Sequence, residues 1–112
     1  MGQPEDLSTR TERFAREVRQ LVREAPRPVC NREDIKQLVR SSGSVAANFI
    51  EADDALGPKD KLMRFRICRK EAKESRLWLS LPETAQPERD LLVNEAKELR
   101  AIFSSVILKL GG

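Results

Sequence analysis

Histidine and tyrosine are absent from this 112-residue chain, and aromatic residues make up only 4% of it. Without histidine, neither a Ser-His-Asp nor a Cys-His nucleophilic arrangement can be built, and the Glu-x-x-His ligand pair of di-iron helical bundles is ruled out as well. Cysteine is limited to Cys30 and Cys68, too few and too far apart for a zinc knuckle or a disulfide framework, so both are expected as reduced thiols. The five glycines are scattered, and two are the last residues, which leaves no phosphate-cradling loop. No apolar run approaches the roughly 20 residues needed to cross a bilayer, and no basic-then-apolar leader opens the sequence. Met1-Gly2 begins like a myristoylation signal, but Asp6 stands where that signal requires Ser or Thr. The expectation is a cytoplasmic, non-enzymatic protein with no cofactor, no resident metal, no small-molecule substrate and no membrane partner.

What is present points to helices. Hydrophobic residues account for 39% and charged residues for 35%, the balance of charged helical surfaces around aliphatic seams. A chain of this length suits one domain, so residues 1–112 are read as a single four-helix bundle domain. Three prolyl stretches divide it: Ala25-Pro26-Arg27-Pro28, Leu56-Gly57-Pro58, and Leu81-Pro82 through Gln86-Pro87, each placing proline where a helix interior cannot hold it. Four helices are predicted, over Leu7–Glu24, Asn31–Ala55, Lys59–Leu81 and Glu88–Leu110, with connections short enough to make successive helices antiparallel neighbours. The fold class is therefore all-α, an antiparallel up-down-up-down four-helix bundle. Asn31 with Asp34 resembles a capping box, Pro58 and Pro87 suit first helical turns, and Gly57 is expected to close the second helix in a left-handed conformation. Leu81-Pro82-Glu83-Thr84-Ala85 has the look of a sortase signal, but no apolar anchor and basic tail follow, so it is read as an interhelical loop.

Helical periodicity assigns the faces. In the first helix Leu7, Phe14, Val18 and Leu21 form a narrow apolar seam opposite five arginines. The second is expected to bury Ile35, Leu38, Val39, Ser42, Val45, Ala46, Phe49 and Ile50, with Ser42 and Ala46 small enough to let a neighbour approach closely. The fourth carries Leu92, Ala96, Leu99, Ile102, Phe103, Val106 and Leu110 at three- and four-residue intervals. The third differs, because Phe65, Cys68, Ala72 and Leu79 make one apolar stripe while Met63, Ile67, Trp78 and Leu81 make a second. A helix of a lone bundle needs one buried stripe, so the second is read as a subunit contact; the alternative is one wide seam touching two neighbours in the same chain.

Two polar constellations remain. Arg40, Ser44, Asn48 and Glu51 align along the second helix, either as a solvated face or as a polar seam between helices or subunits, where Arg40 and Glu51 can pair and Asn48 both donates and accepts. Glu51, Glu71 and Glu74 could form a carboxylate-only metal or acid/base site, but their basic neighbours favour structural ion pairing. Residues 59–76 hold eight Lys or Arg against three Asp or Glu, and Arg66, Arg69, Lys73 and Arg76 line one side of the third helix. If exposed, that row could track the phosphates of RNA or DNA, although no interleaved aromatic offers base stacking. Trp78, beside Leu77 and Leu79, is read as a packing anchor.

The stretch from Arg40 to Ala52 (Arg-Ser-Ser-Gly-Ser-Val-Ala-Ala-Asn-Phe-Ile-Glu-Ala), then Lys59-Asp60-Lys61, then Arg69 to Leu79 (Arg-Lys-Glu-Ala-Lys-Glu-Ser-Arg-Leu-Trp-Leu) resembles the four-helix bundle proteins called 23S rRNA-intervening sequence proteins. The resemblance is close over about Ile35 to Leu79 and extends in pattern to the flanking helices. It implies an up-down-up-down bundle that assembles into a ring, commonly a homopentamer, without established enzymatic activity. A distant relative serves as a nucleic-acid-binding accessory of a reverse transcriptase. The family's recurring Ser, Asn and Glu match Ser44, Asn48 and Glu51, and its later motif matches Lys70, Glu71, Ala72, Trp78 and Leu79. Ala52 stands where many members have glycine, and Lys61 where an aromatic is usual. The implied subunit interface gathers Arg40, Ser44, Asn48, Glu51, Met63, Ile67 and Trp78; nucleic-acid binding would use Arg66, Arg69, Lys73 and Arg76.

Overall fold

Prolines set two of the helix edges. Pro58 and Pro87 each lack the N–H that a first helical turn leaves unpaired, and they open the third and fourth helices of the computed structural model, which describes residues 6–24, 32–82 and 86–112. Four helices follow one another: α1 (Leu7–Glu24), α2 (Arg32–Asp53), α3 (Pro58–Ser80) and α4 (Pro87–Lys109). Their edges lie within two residues of those read from the sequence. The expected Asn31 cap, Cys30, and the stretches 25–31 and 83–85 of the two connections lie outside the described residues. Asp6 caps α1, its carboxylate accepting from the Thr9 backbone N–H at 2.8 Å. That hydrogen bond holds the Asp6 carboxyl below its usual range.

Gly57 does not close α2. It precedes α3 with extended backbone (φ −165°, ψ 170°), because α2 already ends at Asp53 and a short turn intervenes, with Ala55 N–H donating to Ala52 O at 3.3 Å. Among the described residues, the glycine at positive φ is Gly111, just past the end of α4.

Each helix packs on its chain neighbours, and α1 also meets α4, while the backbones of diagonally opposite helices do not approach closely among the described residues. Antiparallel register can be read from pairs whose numbers run in opposite senses. Ser41 faces Ser75 and Asn48 faces Arg64 across α2 and α3, and Phe65 meets Phe103 across α3 and α4 at 6.2 Å between ring centroids. This is the up-down-up-down bundle.

The core draws on all four helices: Phe14 and Val18, Leu38 and Val45, Phe65, Cys68, Ala72 and Leu79, then Leu92, Ala96, Leu99, Phe103 and Ile107. Large side chains buried in this way contribute about 1.5–3 kcal/mol each. Small residues sit fully buried where α2 meets α3, namely Ser41, Cys68, Ala72 and Ser75, which lets those helices approach closely. The buried serines are satisfied: Ser41 and Ser75 share a hydrogen bond of 2.9 Å, and the Ser75 hydroxyl donates to Glu71 O at 2.9 Å. At the α1 contact Gly43 leaves room for the tip of a long side chain. A Cβ there would come within 2.9 Å of Arg19 Nη2, a guanidinium nitrogen that reaches Val39 O at 3.3 Å.

Two core assignments need correction. Ile50 is 56% exposed, and Ser41 and Ala52 are buried on α2 instead. The buried arc centres on Val45, and five further residues turn Ile50 about 140° away from it, whereas Ala52 returns to within about 20°. In α4, Leu110 lies beyond the helix end and is exposed, and Ile107 takes the buried position.

The α1–α4 seam is bridged by charge. Arg10 donates to both Glu95 oxygens at 2.6 and 3.0 Å and to Glu98 at 3.1 Å, an arrangement that raises the Arg10 pKa further. Both Glu95 and Glu98 are thereby directed toward α1.

Candidate functional site

The sequence-predicted residues divide between two faces that share α3. The first face is the outer flank where α2 meets α3. Here Arg40 crosses from α2 to pair with Glu71 at 3.3 Å and, by its other terminal nitrogen, with Glu74. Asn48 donates its Nδ2 to Ser44 O and Ser44 Oγ, each at 3.0 Å, while its Oδ1 accepts from Arg64 Nη1 at 3.2 Å. Arg40, Ser44 and Asn48 thus form a polar seam between two helices of one chain. The expected pairing of Arg40 with Glu51 is not made within the chain: Arg40 is taken by the carboxylates of α3, and exposed Glu51 has no ion-pair partner among the described residues.

Glu71 is itself buried, with 8% of its side chain accessible. A buried carboxylate needs hydrogen bonds or a counter-charge, and Arg40 supplies one. Structural ion pairing therefore holds for Glu71 and Glu74, although the partner comes from α2 and not from the basic neighbours on α3. Among the described residues no group of three or more Cys, Asp or Glu side chains could hold a metal ion.

The second apolar stripe of α3 lies on this same flank. Met63 and Leu81 are 46% and 49% exposed, and Ile67 is half-buried. Trp78 behaves differently, since it is half-buried and packs against the core of its own chain. Among the described residues its indole Nε1 is out of contact with solvent and lacks a hydrogen-bond acceptor, although buried indole N–H groups usually find one.

The second face is the flank where α3 meets α4. Arg66 and Lys73 are exposed there, Arg69 and Arg76 are half-buried, and none of the four forms an ion pair among the described residues. All the acids of α3 turn the other way: Glu71 and Glu74 pair with Arg40, and Asp60 lies 3.7 Å from Arg64. Sequence reasoning missed two cations on α4. Lys97 and Arg100, spaced three apart, are exposed on the flank away from the α1-directed Glu95 and Glu98, which brings them beside the row of α3. Their spacing could have shown this, but a linear charge count over residues 59–76 does not reach them.

Cys68, the thiol of the described core, is fully buried; its Sγ donates to Val45 O at 3.6 Å, and burial pushes its pKa from 9.0 up to about 12. The native thiol holds its proton where an unfolded one ionises, so stability is complete below about pH 9 and falls as the pH rises from there toward about 12. In a Cys30→Ser variant, Cys68 should react with a thiol reagent more than about a hundredfold slower in the native protein than in denaturant, because opening must precede attack. A native rate close to the denatured one would contradict this placement.

In fold class the chain is an all-α four-helix bundle, and no helix among the described residues is long and apolar enough to cross a membrane. It is similar to a protein of unknown function from Bacteroides thetaiotaomicron, whose crystal structure is described as belonging to the S23 ribosomal protein family. The identity is 26%, the TM-score 0.77, and the likeness covers 91% of this chain and 98% of that one. No family model and no curated protein matches the sequence.

Proposed function

We propose that this chain is a member of the 23S rRNA-intervening sequence proteins and acts as a non-enzymatic, homo-oligomeric scaffold or binding protein, pentameric by the family resemblance. The observation that carries the self-association is the outer α2/α3 flank. Met63 and Leu81 are about half exposed there beside half-buried Ile67, although α3 already buries Phe65, Cys68, Ala72 and Leu79 in its own core. Exposed apolar side chains grouped next to a polar seam are the pattern of an interface core with a polar rim. The occupant is a second copy of the chain. Glu51 on α2 and Lys70 on α3 are both exposed and without an ion-pair partner among the described residues, and can pair across such a contact.

The test is a Met63→Glu/Ile67→Glu variant, in which two charges enter the proposed contact at positions that a single chain leaves partly open. Sedimentation should show the mass falling to that of one chain while helical circular dichroism is retained. An unchanged oligomeric mass would sink the assignment of this face.

A second reading is favoured by the unpaired row Arg66, Arg69, Lys73 and Arg76: a nucleic-acid-binding accessory protein that contacts phosphates of RNA or DNA. Cations without internal partners are available for counterion-releasing contacts, which give salt-sensitive and sequence-independent affinity.

A further inference from the structure

The basic row of α3 is half of a wider surface. Across the bundle, α3 and α4 run antiparallel with Phe65 against Phe103, and this register sets Arg69 beside Arg100 and Lys73 beside Lys97. From Arg66 to Arg76 the row extends about 15 Å along the helix axis, and the second row lies one interhelical spacing away, about 8–10 Å. Arg66, Arg69, Lys73 and Arg76 together with Lys97 and Arg100 therefore form a two-row basic face. None of the six makes an ion pair among the described residues.

The segregation of charge follows from pairing on the opposite flanks. Glu71 and Glu74 are held by Arg40 of α2, and Glu95 and Glu98 by Arg10 of α1. Each central acid of α3 and α4 is thus turned from the shared face, and the cations opposite them are left uncompensated. A net charge of only +3 hides this arrangement, because Glu71, Glu74, Glu95 and Glu98 are turned to other sides of the molecule and Asp90, at the start of α4, pairs with Arg89.

The face also lacks any aromatic side chain. Phe14, Phe65 and Phe103 are buried, Phe49 packs edge-on against Phe65, and Trp78 sits on the α2 flank of α3. Binding of single strands gains much of its strength from bases stacked on aromatic rings, and nothing here provides that. A two-row array of Arg and Lys instead matches phosphates presented by two strands held at a fixed separation.

We propose that the α3/α4 face binds the phosphate backbone of double-helical nucleic acid, in preference to single strands and without base readout, with Lys97 and Arg100 of α4 as part of the footprint. This rests on the second reading above and adds to it both the α4 residues and the selectivity for duplexes. RNA and DNA duplexes share the recognised chemistry.

The experiment measures fluorescence anisotropy of labelled RNA duplex, DNA duplex and a single strand of equal length, between 50 and 200 mM salt. The proteins are the wild type, the Lys97→Gln/Arg100→Gln variant and the Arg66→Glu/Arg69→Glu/Lys73→Glu/Arg76→Glu variant, each with helicity and solution mass checked. If all six cations engage, wild-type affinity for a duplex falls about 10³-fold across this salt range, and the α4 variant lowers the log–log salt slope by about 2. Duplex affinity should exceed that for the single strand by at least about tenfold, the α3 variant should show no binding, and the two duplexes rank which form fits better. An unchanged salt slope in the α4 variant, or equal affinity for single strands, overturns the inference while leaving the α3 row intact. Absence of any binding by the wild type overturns both.

Discussion

Replacing Phe103 with alanine is expected to destabilise the bundle by about 3–5 kcal/mol, the range for emptying a fully buried phenylalanine site. Phe103 is completely shielded from solvent and meets Phe65, which in turn packs edge-on against Phe49. Its removal therefore withdraws the contact that joins α4 to Phe65 of α3, itself packed on Phe49 of α2, and the close-packed small residues at the α2/α3 seam leave little freedom to collapse into the space. Domains of this size have total stabilities of about 5–15 kcal/mol, so the variant should melt some 15 °C or more below the parent. Leu108→Ala is the control: that side chain is 73% exposed, and its loss should cost no more than about 0.5 kcal/mol. Similar melting of the two variants would mean that the core is not centred where α3 and α4 meet.

Removing Arg40 is expected to cost about 2 kcal/mol, more than its own half-exposed position suggests, because it strands a carboxylate in the seam. Glu71 keeps only 8% of its side chain in contact with water, while Arg40 keeps 47%. The penalty comes from leaving Glu71 desolvated without a counter-charge, and not from the ion pair itself, which is partly screened. The double variant Arg40→Ala/Glu71→Gln should accordingly recover most of the loss, as read from denaturant midpoints. If the double variant is as unstable as Arg40→Ala alone, the cost lies in lost packing of the arginine stem and the seam has a different energetic basis.

The bundle was legible in the sequence where a single residue type forces a local geometry. Pro58 and Pro87 can be held only at helix beginnings, and the α4 repeat from Leu92 through Phe103 admits one buried face. Legibility failed where small or polar residues do the packing. Ser41 and Ser75 are fully buried, but a hydroxyl carries no hydrophobic signal, and its hydrogen bond to a partner 34 residues away is visible only once the helices are paired. Ile50 shows the converse: its hydrophobicity suggests the core, but counted at 100° per residue it lies about 140° from Val45, on the exposed side.

The two candidate faces show the same division. The stripe of Arg40, Ser44 and Asn48 could be read from spacing, yet its partners Glu71, Glu74 and Arg64 belong to another helix. The α3 cations were apparent as a run of charge, while the contribution of Lys97 and Arg100 depends on the α3/α4 register. Spacing alone groups Trp78 with Met63 and Ile67; tertiary contact separates it, because the indole also reaches the core of its own chain.

Sedimentation equilibrium of the unmodified protein at micromolar concentration addresses the central claim most directly. A single species of several copies of the 12.7 kDa chain is expected, with five as the number. A monodisperse species of one chain's mass would contradict it, and the exposed residues Met63 and Leu81 would then have to be explained without a second copy.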